Sequence, residues 1–374
     1  MQNSQGSTTV APSTQTITVE GAIFSSSNLL TNRDLAQTAD TSSAKSITLT
    51  SGQDITITEE GVYVVSGTAT NASIIVEADS SAKVQIVLDG ASITNDSTPA
   101  IYVKSADKVF VTLVGSNKLA VTGTFTSDGD TNTDAVIFSK DDLVLNGTGS
   151  LTITSTDNAV TSKDDLKITG GTYNITCAGH ALEANDSVVV ADGSFTIDAG
   201  KDGIHSDNEE DGTLGYVYVG GGTFNITAKS DGIHATSATQ IDGGTISISA
   251  PEGIEGTYVQ INDGTINVSA SDDGINASYK SSAYTPTLEI TGGKVTVNMG
   301  AGDTDALDSN GNLFIKGGTV DITAQSPFDF DGQGSLTGGT VTVNGQQITQ
   351  LTNQMMGGGM MGGSMGGGSM GGRR

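Results

Sequence analysis

Apolar and polar residues alternate along most of this chain. In TYNIT, from Thr172, Tyr173 and Ile175 share one parity while Asn174 and Thr176 share the other. The pattern returns at Phe195/Ile197, Phe224/Ile226, Ile246/Ile248, Val295/Val297 and Val320/Ile322. A period of two marks a β-strand with one buried face. Each strand follows a small turn phrase: GGTYNIT from Gly170, DGSFTID from Asp192, GGTFNIT from Gly221, GGTISIS from Gly243, DGTINVS from Asp263, GGKVTVN from Gly292, GGTVDIT from Gly317 and GGTVTVN from Gly338. The spacing is 22 residues from Gly171 to Gly193 and from Gly222 to Gly244, 20 from Gly244 to Gly264, and 29 from Gly193 to Gly222, where SDNEEDGTLG is inserted.

Each repeat carries three alternating stretches, for example DGIHS, YVYVGGG and TFNITA. So short a unit cannot bury its own apolar face, and successive units must stack. The expectation is an all-β chain wound as a right-handed parallel β-helix, with about 22 residues and three strands per coil and rungs about 4.8 Å apart. A β-sandwich would not require so regular a repeat. Upstream, GQDITITEEGVYVVSGT, NASIIVEADSSAKVQIVLDG and AIYVKSADKVFVTLVG alternate with looser spacing and read as wider first coils and a cap. The expected division is a linker over 1–16, the β-helix over 17–349 and a Met/Gly-rich tail over 350–374, read as a spacer rather than a copper(I) site.

Aligned on the repeat, the opening strand reads NAVTS, HALEA, DGIHS, DGIHA, EGIEG, DGINA and DALDS, with FDFDG as an approximate last copy. Two polar columns emerge. The first holds Asn158, His180, Asp202, Asp231, Glu252, Asp273 and Asp305; the second holds Thr161, Glu183, His205, His234, Glu255, Asn276, Asp308 and Asp331. Between them Val160, Leu182, Ile204, Ile233, Ile254, Ile275 and Leu307 point inward, so strand alternation turns the second column to solvent. By the same rule the small residues Ala181, Gly203, Gly232, Gly253, Gly274 and Ala306 face outward, as the floor of a groove along the axis.

Composition agrees. There are 51 Gly, 5 Pro and no Trp, and hydrophobic residues make up 35%, a profile that suits short strands and tight turns over helices. The formal charge of −26 disfavours nucleic acid and anionic lipid as partners. No apolar run is long enough to span a bilayer, so no membrane insertion is expected. The N-terminus lacks the basic and apolar regions of a signal peptide, so a secreted form would be the mature one. The lone Cys177 has inward parity and reads as a buried hydrophobe.

Carboxylates about 5 Å apart repel by about 3 kcal/mol at an effective dielectric of 20, so the stripe favours a cation. Calcium prefers such hard oxygen donors. Its candidate ligands are Asp202, Asp207, Asn208, Glu209, Asp211, Asp231 and Asp273, densest at the insertion. An Asp before Gly is also an ordinary turn former. Glu183, His205, His234, Glu255, Asn276 and Lys201 are the candidate sugar contacts. His205 and His234 on neighbouring rungs suggest zinc with Glu183 or Glu255, but no HxH or HExxH pattern supports it.

The phrases SKDDLKITGGTYNIT, KDGIHSDNEEDG and GYVYVGGGTFNITAKSDGIHA, with the Met/Gly tail, resemble secreted bacterial carbohydrate-binding β-helix proteins over about residues 45–345. The resemblance implies a pectate-lyase-like fold, bound calcium, and non-catalytic binding of acidic sugars such as polygalacturonate, and of cellulose, outside the cell or at its surface. The absence of Trp, and the placing of Tyr216 and Tyr218 on a different strand from the stripe, make acidic polysaccharide the better match than crystalline cellulose. Two other readings compete. One is a lyase, with Lys201 as base beside calcium. The other is a surface or filament protein whose coils associate end to end through exposed sheet edges.

Overall fold

The computed structural model describes residues 21–300 and 304–353. The linker expected over 1–16, and the tail beyond residue 353, lie outside them. The described residues form two sheets, parallel except for the last strand pair, and a single helical turn, Ser26–Leu29. This is the all-β solenoid that the repeat predicts.

One coil runs through Asn158–Ser162, Asp165–Ile168 and Thr172–Cys177. The first strand of each coil joins a twelve-stranded sheet, and the other two join a 24-stranded sheet. That larger sheet turns a corner, because the long strand Lys83–Asn95 pairs with both Lys108–Val114 and Ser116–Val121. Gly90, at φ +68°, makes the bend within that strand.

Identical positions stack from coil to coil. Tyr173 pairs with Phe195, Phe195 with Phe224 and Phe224 with Ile246. The rings of Tyr173, Phe195 and Phe224 lie nearly parallel, with centroids 5.1 and 4.6 Å apart. Ile204, Ile233, Ile254 and Ile275 form a second ladder, directly paired and fully buried. Each such side chain contributes about 1.5–3 kcal/mol by leaving water. Cys177 is buried among them, and burial pushes its thiol up to about 12.

Coil length is not constant. The extra residues between Phe195 and Phe224 form the loop 207–215, and those between Ile266 and Val295 include the loop 278–286. The inner ladders keep register because each insertion leaves the helix at a corner. The turn glycines are needed where coils approach closely. Gly244 has φ +94°, and a Cβ there would lie 2.9 Å from the carbonyl oxygen of Gly222.

Residues 21–37 make an unpredicted strap. They run along the outside of the large sheet, across several coils. The Gln260 amide donates to Gly21 O and its Oε1 accepts from Ile23 N–H; Gln240 bonds both the N–H and the carbonyl of Phe24. Farther along, Thr169 donates to Asp34 O and Gln37 Oε1 accepts from Gly147 N–H. Phe24 stacks on Tyr216 at 4.4 Å, and Tyr218 is buried. Tyr216 and Tyr218, on a different strand from the stripe, are therefore covered by the chain itself. At the other end, Thr340–Val343 pairs antiparallel with Gln346–Ile348, which closes part of that edge.

Candidate functional site

The polar stripe lies on the twelve-stranded sheet. Its second column is in register: Glu183, His205, His234, Glu255, Asn276 and Asp308 pair in succession. The last member is Asp329, which pairs with Asp308, and not Asp331. Phe328 takes the place of Leu307 beneath it, so FDFDG joins the ladder two residues earlier than its spelling suggests.

Simple alternation fails at the residue before the apolar ladder. Ala181 and Leu182 both donate N–H groups to the next coil, to Asp202 O and Gly203 O. Two consecutive donors on one side mean the strand is locally not extended, as in a bulge. The first column is thereby rotated onto the same outer face as the second. Asp202 Oδ2 lies 2.7 Å from His205 Nδ1, and Asp231 Oδ2 lies 2.7 Å from His234 Nδ1.

The same kink corrects the expected groove floor. Gly203, Gly232, Gly253, Gly274, Ala181 and Ala306 are buried and face the interior. A Cβ on Gly203 would lie 2.5 Å from Ile226 Cγ2, and one on Gly232 would lie 2.4 Å from Ile248 Cγ2. Nor is the second column freely solvated. Thr161, Glu255 and Asn276 are buried, and Glu183, His205 and His234 are half-buried. The stripe is a close-packed polar face.

Its first half alternates acid and imidazole. Asp202 Oδ2 also approaches His180 Nδ1, at 3.2 Å, while its Oδ1 accepts the Asp231 N–H. Burial opposes charge on Asp202, but hydrogen bonds from His180, His205 and that N–H outweigh it and hold the carboxyl far below the ordinary range. Around His234, burial disfavours the cation. Asp231 and Glu255, the latter at 3.0 Å, reverse this and carry the imidazole up to about 10. Glu255 is desolvated too, yet His234, Ser278 and Lys280 lower it to about 2. Glu183 turns away from His205 and accepts from Asn158 and Thr161 at 2.8 and 2.6 Å.

In the second half acids face acids. Burial, with Glu255, Asp231 and Asp273 nearby, raises Glu252 to about 7. Burial and neighbouring carboxylates likewise raise Asp273 to about 6 and Asp308 to about 7. Buried atoms here lack hydrogen bonds: Glu252 Oε2, Asn276 Oδ1 and Asp329 Oδ1.

Three sets of donors converge within 4.8 Å among the described residues: His180/Asp202/His205, Asp202/Asp231/His234 and Asp231/Glu252/Glu255. Of the residues singled out from sequence, Asp202, Asp231, His205, His234 and Glu255 are thus brought together. Asp273 lies farther along and bonds Asn276 and Asp305 N–H at 3.4 Å. The insertion stands apart. Asn208 caps its own loop by accepting from Glu210 and Asp211 N–H groups, and its amide reaches Asp186. Asp207 accepts from Thr236, Asp211 from Thr213, and Glu209 and Lys201 are exposed. His180, Glu252 and Lys280 complete the clusters but were not selected from sequence; the first two were visible as members of the first column.

A second acidic row lies at the following corner. Burial, then Asp142 and Asp186, push Asp164 up to about 7. A surface pocket of 670 Å³, lined by Leu35, Gln37, Thr169 and Ser194, lies beside the strap and holds none of these clusters.

Fold and site together define a parallel β-solenoid that presents an ionisable polar face along its axis. The family described as carbohydrate-binding domain-containing protein matches residues 51–304 and 249–354. The chain belongs to that family. A relative from Acetivibrio thermocellus with the same description is 35% identical over 131 residues, which cover 34% of this chain and 45% of that protein. The match thus spans less than half of that relative. A solved structure described as a polysaccharide lyase-like protein from C. thermocellum, gadolinium derivative, is 32% identical, with a TM-score of 0.53, covering 55% of this chain and 90% of that one.

Proposed function

We propose that this protein binds acidic polysaccharide, of the polygalacturonate class, along the stripe with calcium as the bridging ion, and does not cleave it. The carrying observation is the set Asp231, Glu252 and Glu255, whose carboxylate oxygens converge within 4.8 Å while Glu252 Oε2 is buried without a hydrogen bond. An all-oxygen donor set fits calcium, which takes six to eight such ligands. The bound ion would supply positive charge at a face that otherwise repels a uronate. The family name supports a carbohydrate ligand, and gadolinium, in the solved relative, is also a hard cation.

This chain's residues divide the remaining work. Lys280, 3.2 Å from Glu255, sets that carboxylate from outside, and Asn276 holds Asp273 through its amide while its Oδ1 stays without a hydrogen bond. The register presents one polar side chain of the second column per coil, suited to a linear polymer. For lyase chemistry a neutral base must reach a sugar proton. Lys280 is ion-paired to Glu255, and Lys201 is exposed. We place the protein outside the cell or on its surface, where such polymers are found.

The test is a pull-down panel of polygalacturonate, cellulose and neutral glucans, with calcium or with chelator, and with supernatants assayed for unsaturated products. Retention on polygalacturonate that chelator abolishes, without new absorbance, is expected. Chelator-independent retention removes calcium from the mechanism, and unsaturated oligogalacturonides make the protein a lyase.

A further inference from the structure

We infer that His180, Asp202 and His205 form a separate site for a divalent first-row transition metal of the zinc or nickel class. This goes beyond the calcium reading and does not depend on it.

Donor chemistry comes first. Two imidazole nitrogens and one carboxylate suit zinc or nickel, whereas the oxygen-only set two coils away suits calcium. Geometry agrees. His180 Nδ1 and His205 Nδ1 lie 3.2 and 2.7 Å from the same oxygen, Asp202 Oδ2. Ligands bonded to one ion at about 2.1 Å stand about 3 Å apart at right angles. The ring centroids, on adjacent coils, lie 4.2 Å apart with planes tilted by 32°, and both Nδ1 atoms approach the one oxygen.

The support is already rigid. Asp202 Oδ1 is fixed by the Asp231 N–H at 2.9 Å, and the His180 backbone N–H is held by Asn158 Oδ1 at 2.8 Å. Such outer bonds orient ligands before an ion arrives. The side chains of His180 and His205 keep 13% and 17% of their exposure, which gives an ion entry from solvent.

Protons alone serve His180 poorly. Its Nδ1 is approached by the Asp202 N–H at 3.4 Å, which calls for a lone pair, and by Asp202 Oδ2, which calls for a proton. A cation bonded to both Nδ1 and Oδ2 removes the second demand, because the nitrogen then needs no proton to face the carboxylate oxygen. Glu183 is not part of the set, because Asn158 and Thr161 hold it.

The experiment is calorimetric titration of the full chain with zinc chloride and nickel chloride, near neutral pH and in saturating calcium. One ion per chain should bind. His180→Gln and His205→Gln should each weaken binding by about tenfold or more, while Glu209→Gln, at an exposed position outside the three donor sets, leaves it unchanged. No heat in calcium-saturated protein, or wild-type affinity in both histidine variants, overturns the site. If the substitutions unfold the chain, cobalt(II) added to the wild-type protein decides. The chain holds only three histidines, so paramagnetically shifted imidazole resonances from two of them are expected, and their absence rejects the assignment.

Discussion

The two halves of the stripe share a backbone, a register and an apolar ladder, yet hold protons in opposite ways. In the first half Asp202, Asp231 and Glu255 each meet an imidazole, and Asp202 and Glu255 are held low while His234 is held high. Beyond it, Glu252, Asp273 and Asp308 meet one another and are held high. Glu252 and Asp231 are direct neighbours in the ladder, so one coil separates the two regimes. Neither burial nor strand geometry makes the difference. It lies in whether the next coil offers a cation, and the half without one is where an added cation has most to gain.

The most severe way to break the comparison is to remove its common support. Ile233→Asp puts a charge into the ladder beneath both halves, and it should cost about 3–5 kcal/mol or prevent folding. A variant that melts like the parent would refute the register. Next is the ion itself. If calcium binds only the folded chain, its removal from a solution at a hundredfold excess over the dissociation constant should cost about 2.7 kcal/mol, read as a lower melting temperature. Glu252→Gln should abolish most of that response.

His234→Asn tests the first half alone. It strips charged partners from Asp231 and Glu255 and should destabilise by about 2 kcal/mol at neutral pH. It should also let Glu255 titrate higher, visible by carboxyl NMR.

In calcium-free buffer the carboxylates of the two halves should respond oppositely to pH. Glu252 and Asp308 have folded values raised to about 7, so the folded state binds their protons more tightly; stability is lost as pH rises from about 4 to about 7. Asp202 and Glu255 are lowered, so their contribution is complete above about 4 and is lost as pH falls below it. His234 contributes fully below about 6.5 and loses this as pH rises toward about 10. Glu252→Gln should therefore stabilise the calcium-free protein by about 1 kcal/mol at pH 8 and by less at pH 5. Equal gains at both would show that Glu252 is not raised. The smallest effect is expected at the insertion. Glu209→Gln should change stability by less than about 0.5 kcal/mol and leave calcium affinity intact; a loss of affinity would return the ion to residues 207–211.

Much of the scaffold was legible because its signal repeats. The Ile204, Ile233, Ile254 and Ile275 ladder follows from alternation and spacing alone, since the alternatives would expose it. Both polar columns were legible for the same reason, including His180 and Glu252. The error at Asp331 arose where the repeat decays and only pairing with Asp308 settles the register.

Sequence by itself therefore determined a stacked all-β coil, its inner ladders and the residue types offered along one face. Tertiary structure decided which of those residues meet. The kink at Ala181 and Leu182 brings Asp202 beside His205 and buries Gly203, because hydrogen bonds to the next coil override two-residue alternation. The insertion, richest in acid, closes on itself through Asn208, while the strap finds Gln240 and Gln260 more than two hundred residues away. Periodicity records which way an extended strand faces. It carries no record of where a strand departs from extension, or of which distant backbone groups a loop or strap must satisfy.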